Sequence, residues 1–248
     1  MRLARMLWFG ACMAVLIVPL LWASLVHGGA VRHWSQARWD SASLAPDPAT
    51  TPEAVVQVYA ARAWGWKGIL AVHSWIVVKR AGAPAFERYE VVGWGVGRGA
   101  PAIRRNMRPI DGYWAGSPPR LVLDRRGAEV EGLIDQIDAA IASYPFPDQY
   151  RTWPGPNSNT FVAHIGREVP ALGLDMPALA VGKDYLQNGG LIGRTPSGSG
   201  FQLSLLGLLG FSIGRIEGLE VNLLGLTIGI DPLGLALKLP GIGRFGLT

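Results

Sequence analysis

The chain has 248 residues, a net charge of +5, 17% charged residues, 33 Gly and 18 Pro. That length allows one substantial domain with extras, and the composition excludes a disordered polymer while fitting a strand- and loop-rich protein with an apolar portion. Its basic residues are scattered, as at Arg104, Arg105, Arg108, Arg120, Arg125 and Arg126, so no nucleic-acid partner is expected, whereas an anionic lipid surface or an acidic polymer fits.

Residues 1–5 are short and basic. Residues 6–26, "MLWFGACMAVLIVPLLWASLV", carry no charge, and at helical rise they reach about 30 Å, the thickness of a hydrocarbon core. Trp8 and Trp22 lie towards the two ends, where indoles favour the interface, and Pro19 is tolerable in a spanning helix. A cleaved signal peptide would have a shorter apolar region and a better small-residue cleavage site than "SLVHGGAV". An uncleaved single-pass anchor is therefore expected, with Arg2 and Arg5 inside and Arg32 and Arg38 on the far side. Residues 27–52 contain "SASLAPDPATTP", a polar linker.

The body is expected over 53–195. Thr51-Pro52-Glu53 reads as an N-cap, a first helical residue and a first-turn acid. "GILAVHSWIVVKR" (68–80) and "FERYEVVGWGVG" (86–97) read as two strands of a hairpin, and "LVLDRRG" (121–127) as a short strand or turn. Val130, Leu133, Ile134, Ile137 and Ile141 fall on one helical face, ended near Pro145. "SNTFVAHIGREV" is a second short helix, stopped by Pro170. Residues 196–248 change character: Leu, Ile and Gly alternate with breakers, and "FSIGRI", "EVNLL", "LTIGI" and "LALKL" read as short strands with "EG" and "DPLG" turns. This tail reads as a β meander covering the main domain, or as a surface that meets lipid or a partner.

The single cysteine, Cys12, lies in the first apolar run. The body therefore has no disulfide, thiolate nucleophile or Cys-based metal site. Of the four histidines, His27 and His33 follow that run closely. His73 and His164 remain, too few for a His-built zinc site, so neither metal nor cofactor is expected. "GWGVGRG" (93–99) leads to Pro101 and not to a helix, and "GKDYL" (182–186) lacks the other residues of a phosphate loop. Lys183 and Asp184 read as a solvated pair.

Ser158 follows the tight turn "WPGPN" and opens a helix. It is either the cap of that helix or a nucleophile placed among free backbone N–H groups. His73 is the best-placed base, Glu90 or Tyr89 on the next strand its orienter, and the N–H groups near Ser158 and Asn159 the oxyanion donors. Trp114 and Trp153, in Pro/Gly-rich loops, are candidates to line a cleft, with Asn157 and Asn159 beside them. His164, more than a turn into the helix, reads as structural.

"HSWIVVK…ERYEVVGWG…NSNTFV" resembles the permuted papain-like superfamily of lecithin retinol acyltransferase-like enzymes and NlpC-related hydrolases. There a strand His, a polar residue on the next strand and a helix-leading nucleophile occur in that order. The resemblance implies that His73 is the base and Ser158 the nucleophile, although the superfamily's nucleophile is Cys. More closely, "HSWIVVKRAGAPAFERYEVVGWG", "WPGPNSNTFVAHIGREVPAL" and "GKDYL" resemble the bacterial family catalogued as domain of unknown function 3750. The expected whole is an α+β, permuted NlpC/papain-like domain. A short antiparallel sheet packs on helices, an N-terminal transmembrane helix precedes it, and a Gly/Leu-rich β-strand tail follows. It is expected in the bacterial inner membrane with a periplasmic body, as a serine-variant hydrolase or acyltransferase acting on an amide or ester of an envelope polymer or lipid. The alternatives are a non-catalytic protein that binds a peptide, glycan or lipid, and an assembly module.

Overall fold

The structure is a computed structural model that describes residues 2–28, 34–186 and 189–247; of residues 2–4, 7–12 and 34 it describes the backbone alone. Helix α1 (Arg2–His27) comes first. The expected span 6–26 lies within it, but the side chains of 7–12 are outside the described set. Among the described residues no helix is long and apolar enough to cross a membrane. The expected linker lies partly outside the described residues too. Its second half is not free: the Ser41 hydroxyl donates to Asp111 Oδ1 at 2.6 Å, and the Leu44 and Ala45 N–H groups donate to Asp111 Oδ2 at 2.6 and 3.0 Å.

The helix expected at 51–53 is instead the approach to strand β1 (Val55–Arg62). The run "VVQVYAAR" is rich in β-branched and aromatic residues, and pairing on both sides overrides the cap signal. A one-turn helix α2 (Lys67–Leu70) leads into β2 (Val72–Lys79), followed by β3 (Glu87–Val91), β4 (Ile103–Arg105) and β5 (Arg120–Arg126). They form an antiparallel sheet in the order β4-β3-β2-β1-β5. Helices α3 (Val130–Ala142) and α4 (Ser158–Glu168) cover one face, where Val56, Val58, Ile76 and Val78 meet Ile134, Ile137, Phe161 and Ile165. The other face carries Val55, Tyr59, Trp75 and Val77 and is roofed by Trp114 and Ala115. Burial on both faces explains why β1 and β2 read as nearly continuous apolar runs rather than as alternating ones.

The tail is a seven-stranded antiparallel meander: β6 (Ile192–Arg194), β7 (Gly200–Leu205), β8 (Leu209–Gly214), β9 (Gly218–Leu223), β10 (Leu226–Asp231), β11 (Ala236–Leu239) and β12 (Gly243–Gly246), each beside its chain neighbour. Its polarity is inverted. Gln202, Ser204, Ser212, Glu220, Asn222, Thr227 and Lys238 point inward and are buried, whereas Phe201, Leu203, Phe211, Ile213, Val221 and Leu237 point outward and are exposed. Register aligns the outward residues into cross-strand rows such as Phe201–Ile213–Leu219–Ile230–Leu237–Phe245.

The inward face is satisfied by charges from the first unit. Lys183 Nζ bonds Asp184 Oδ1 at 3.2 Å and Glu220 Oε2. Lys238 Nζ bonds Glu220 Oε1 at 2.7 Å, the Glu217 carbonyl at 3.0 Å and Asp175 Oδ1 at 3.2 Å. Asn222 Nδ2 donates to Asp184 Oδ2 at 2.7 Å, and Arg167 Nη2 donates to Gln202 Oε1 at 3.0 Å. Lys183 and Asp184 are thus buried, not solvated as their loop context indicated; their partner Glu220 lies 37 residues further along the chain. Burial pushes the Glu220 carboxyl up, but the Lys183 and Lys238 ammoniums outweigh it and hold the group below its ordinary value of 4.5.

Two measurements test this network. Glu220→Ala leaves two ammoniums without their shared carboxylate and is expected to cost about 3–5 kcal/mol in urea unfolding, the range for breaking a buried pair. Because the folded value of Glu220 is depressed, its stabilisation is present above pH 4.5 and is lost as pH falls through the lower folded value. An acid titration of wild type should show that loss, and the variant should lack it.

Candidate functional site

Helix α4 begins after the turn 153–157, in which the Trp153–Pro154 and Gly155–Pro156 peptide bonds are cis. Its cap is Asn157, not Ser158. The Asn157 side chain accepts from the N–H groups of Asn159 at 3.0 Å and Thr160 at 3.1 Å, and the Thr160 hydroxyl receives the Asn157 N–H at 3.2 Å, which completes a capping box. Ser158 is the first helical residue, so capping does not account for it. The Asn159 N–H, expected as an oxyanion donor, is committed to Asn157.

The two asparagines act as clamps. Asn157 Nδ2 donates to the carbonyls of Thr152 at 3.1 Å and Val181 at 3.0 Å. Asn159 Nδ2 donates to the carbonyls of Val72 and Val181, each at 2.9 Å, while its Oδ1 accepts the Ser74 hydroxyl at 2.8 Å. Together they fix the start of α4 against β2 and the 181–182 turn. Both line the cleft, but their amide hydrogen-bonding capacity is largely spent on the protein. Gly182 makes the close approach possible: its φ is +97°, and a Cβ there would sit 2.5–2.9 Å from the Asn157 amide.

His73 is buried on β2. Its Nε2 lies 2.8 Å from Glu90 Oε2, which also takes Arg88 Nη2 at 2.9 Å. Arg88 in turn donates to the Pro109 carbonyl at 2.7 Å and stacks over Trp75. Burial pushes the Glu90 carboxyl up, but the His73 N–H and the Arg88 charge bring it below its ordinary value. A carboxylate at Glu90 fixes the His73 proton on Nε2 and leaves Nδ1 as the basic nitrogen. Burial lowers the His73 pKa below 6.5, against the upward pull of Glu90. The Trp114 ring stacks on His73 at 3.5 Å between centroids, and Trp94 stacks on Trp114 at 5.3 Å.

These groups meet at one cleft of about 940 Å³. His73, Ser158, Asn157, Asn159, Trp114 and Trp153 all line it, as do Trp64, Trp66, Trp94 and Tyr150, with Leu224 and Leu226 contributed by the second sheet. The Trp153 indole N–H donates to the Leu224 carbonyl at 2.8 Å, tying the two units together at the rim. The strand alternation qualifies the expected Ser–His pairing: Ser74 faces α4, so His73 projects from the opposite face of β2. His73 and Ser158 line the same cleft, with His73 on the face of β2 that α4 does not cover. Tyr89 is not brought to the site, because it too falls on the α4 side and its hydroxyl donates to Glu87 Oε2 at 2.6 Å. His164, as expected, is structural, with Nε2 2.8 Å from the Ala140 carbonyl of α3. Sequence reasoning missed Arg88; its place two residues from Glu90 was the available signal, since alternation puts both on one face. Leu224 and Leu226 had no local signal.

Two variants test the site's construction. Glu90→Gln removes the group that raises the His73 pKa, so the His73 imidazole titration followed by NMR is expected to move further down. Gly182→Ala should strain the backbone and push on the Asn157 cap, costing about 1–3 kcal/mol in thermal or urea unfolding.

No curated protein and no solved structure matches the chain. One family model does, over residues 53–185, and these residues include both strands of the hairpin, Ser158 and the Lys183–Asp184 pair. The chain therefore belongs to the family described as protein of unknown function DUF3750.

Proposed function

We propose that this protein is a serine-variant hydrolase or acyltransferase, held at a membrane through α1, that acts on an amide or ester bearing an apolar group. The observation that carries the reading is the shared cleft: Ser158 at the first position of α4 and His73 held by Glu90 line the same space. In this scheme His73, neutral near pH 7, takes the Ser158 proton at Nδ1. Ser158 Oγ attacks the carbonyl carbon, and the bond to the leaving group breaks as the imidazolium protonates it. Water or an acceptor alcohol or amine, giving its proton to His73, then takes the acyl group from Ser158, to which His73 returns that proton. Glu90 holds the ring and stabilises its charged form. The Ser158 N–H and the positive end of α4 face the developing oxyanion. The indoles of Trp64, Trp66, Trp94 and Trp153 with Leu224 and Leu226 supply an apolar wall, the kind of lining that takes an acyl chain or aromatic group.

A second reading is favoured by one observation. The Trp114 ring covers His73, and β2 directs His73 away from α4. Under that reading the cleft binds an apolar ligand without turning it over.

The test is labelling of the full chain with a fluorophosphonate. Labelling that disappears in both Ser158→Ala and His73→Ala, with an acid limb whose midpoint lies below 6.5, is the expected result. Folded wild-type protein that stays unlabelled while its tryptophan fluorescence responds to a long-chain fatty acid would replace the enzyme with the binding protein.

A further inference from the structure

We infer that the outward face of the second sheet is seated in the acyl-chain region of a lipid bilayer. This inference does not depend on the chemistry assigned to Ser158. A soluble sheet with one covered face turns its apolar residues inward and its polar residues to water. Strands β7 to β12 do the reverse, as in the row Phe201–Ile213–Leu219–Ile230–Leu237–Phe245 and in its neighbour Leu203–Phe211–Val221–Ile228. The six strands β7 to β12 at their usual spacing make this face about 24 Å across, a contiguous apolar surface of the kind that marks an interaction site. Glu220, Lys238 and Asn222 behind it are paired within the protein, so their burial stands without a partner outside, whereas the apolar rows in front of them have no such cover.

Three features select lipid over a protein partner. These rows present no hydrogen-bonding side chain, whereas protein interfaces of this size carry about one hydrogen bond per 100–200 Å². The face is continuous with α1: Ala14, Val15 and Val18 of its uncharged run form, with Phe211, Val221 and Leu237, a groove of about 740 Å³. The exposed charges at the margin of the sheet are basic. Between residues 189 and 247, the acids Glu217, Glu220 and Asp231 are buried, as is Lys238, and Arg244 is paired with Asp231, while Arg194 and Arg215 are exposed. Basic residues at the margin of an apolar surface suit anionic headgroups.

The same face runs into the cleft. Leu226 ends the outward row Leu205–Leu209–Leu223–Leu226, and with Leu224 it lines the cleft beside Trp153. Trp153 and Trp66 are 51% and 71% exposed at that rim, a position in which indoles partition to the headgroup layer. A ligand would then reach Ser158 from the lipid and not through water.

The test uses the full chain with Cys12→Ser and one new cysteine, Phe211→Cys, Ile230→Cys or Asp135→Cys, labelled with bimane. Each protein is reconstituted in vesicles of phosphatidylethanolamine and phosphatidylglycerol. Asp135 lies on α3, with its side chain 68% exposed, and serves as the aqueous reference. The expected result is that bimane at 211 and 230 is quenched several-fold more by doxyl-labelled lipid than by iodide, with the opposite order at 135. The inference is overturned if iodide quenches 211 and 230 as it does 135, or if the protein stays off the vesicles. It is equally overturned if both quenchers are excluded, which would place a second copy or another protein on the face.

Discussion

The structure depends on the position of Glu220 between Lys183 and Lys238. A sheet with its polar residues inside can fold only if those residues find partners there, because each unpaired buried charge costs several kcal/mol. Lys183 and Asp184 lie at the end of the family's matched region and Glu220 and Lys238 beyond it. The first unit therefore offers its neighbour a charged platform in place of the usual apolar one. The remaining features of the tail follow from that choice. Its small inward residues, Ser204, Ser212 and Thr227, fit close to the platform, and its apolar residues are left for the outer face.

A similar logic governs the cleft. His73, Glu90 and Arg88 form a buried chain that ends on the Pro109 carbonyl. Its charges nearly cancel, since a carboxylate faces a guanidinium and the imidazole stays neutral. Alternation along β2 and β3 puts all three on the face roofed by Trp114. That leaves the α4 face free for Ser74, whose hydroxyl joins the asparagine clamps. The site is thus made by two machineries on opposite faces of one strand, one that sets a proton on an imidazole and one that sets the start of a helix.

Most strands and both long helices of the body were legible from period and breakers, because the sequence signal there comes from local burial. Strand β1 was not, since Thr51-Pro52-Glu53 mimics a helix start and only pairing with β2 and β5 decides otherwise. His73, Glu90 and Ser158 stood out in the sequence as candidates, but their placement in the fold was not legible there. Nothing in "HSW" says which side of the strand α4 covers; that is fixed by Asn159, 85 residues away from Ser74. Asn157, not Ser158, proved to be the cap, because an Asn side chain reaches two N–H groups at once. The alternation in the tail was visible as short strands. Its inversion was not, for period alone does not name the face that meets the core.

The nearest-neighbour order of the meander bears on how the chain assembles. Each of its strands needs only the hairpin before it, so its loop-closure cost is small and it can add strand by strand. Its polar underside, however, has nothing to pair with until Lys183 and Asp184 are in place. During synthesis from the N-terminus, residues 53–185 are complete before β7 emerges, so the finished body acts as a template on which the sheet is laid down. A chain cut or permuted so that the meander came first would present its buried charges and its apolar rows together, with neither covered.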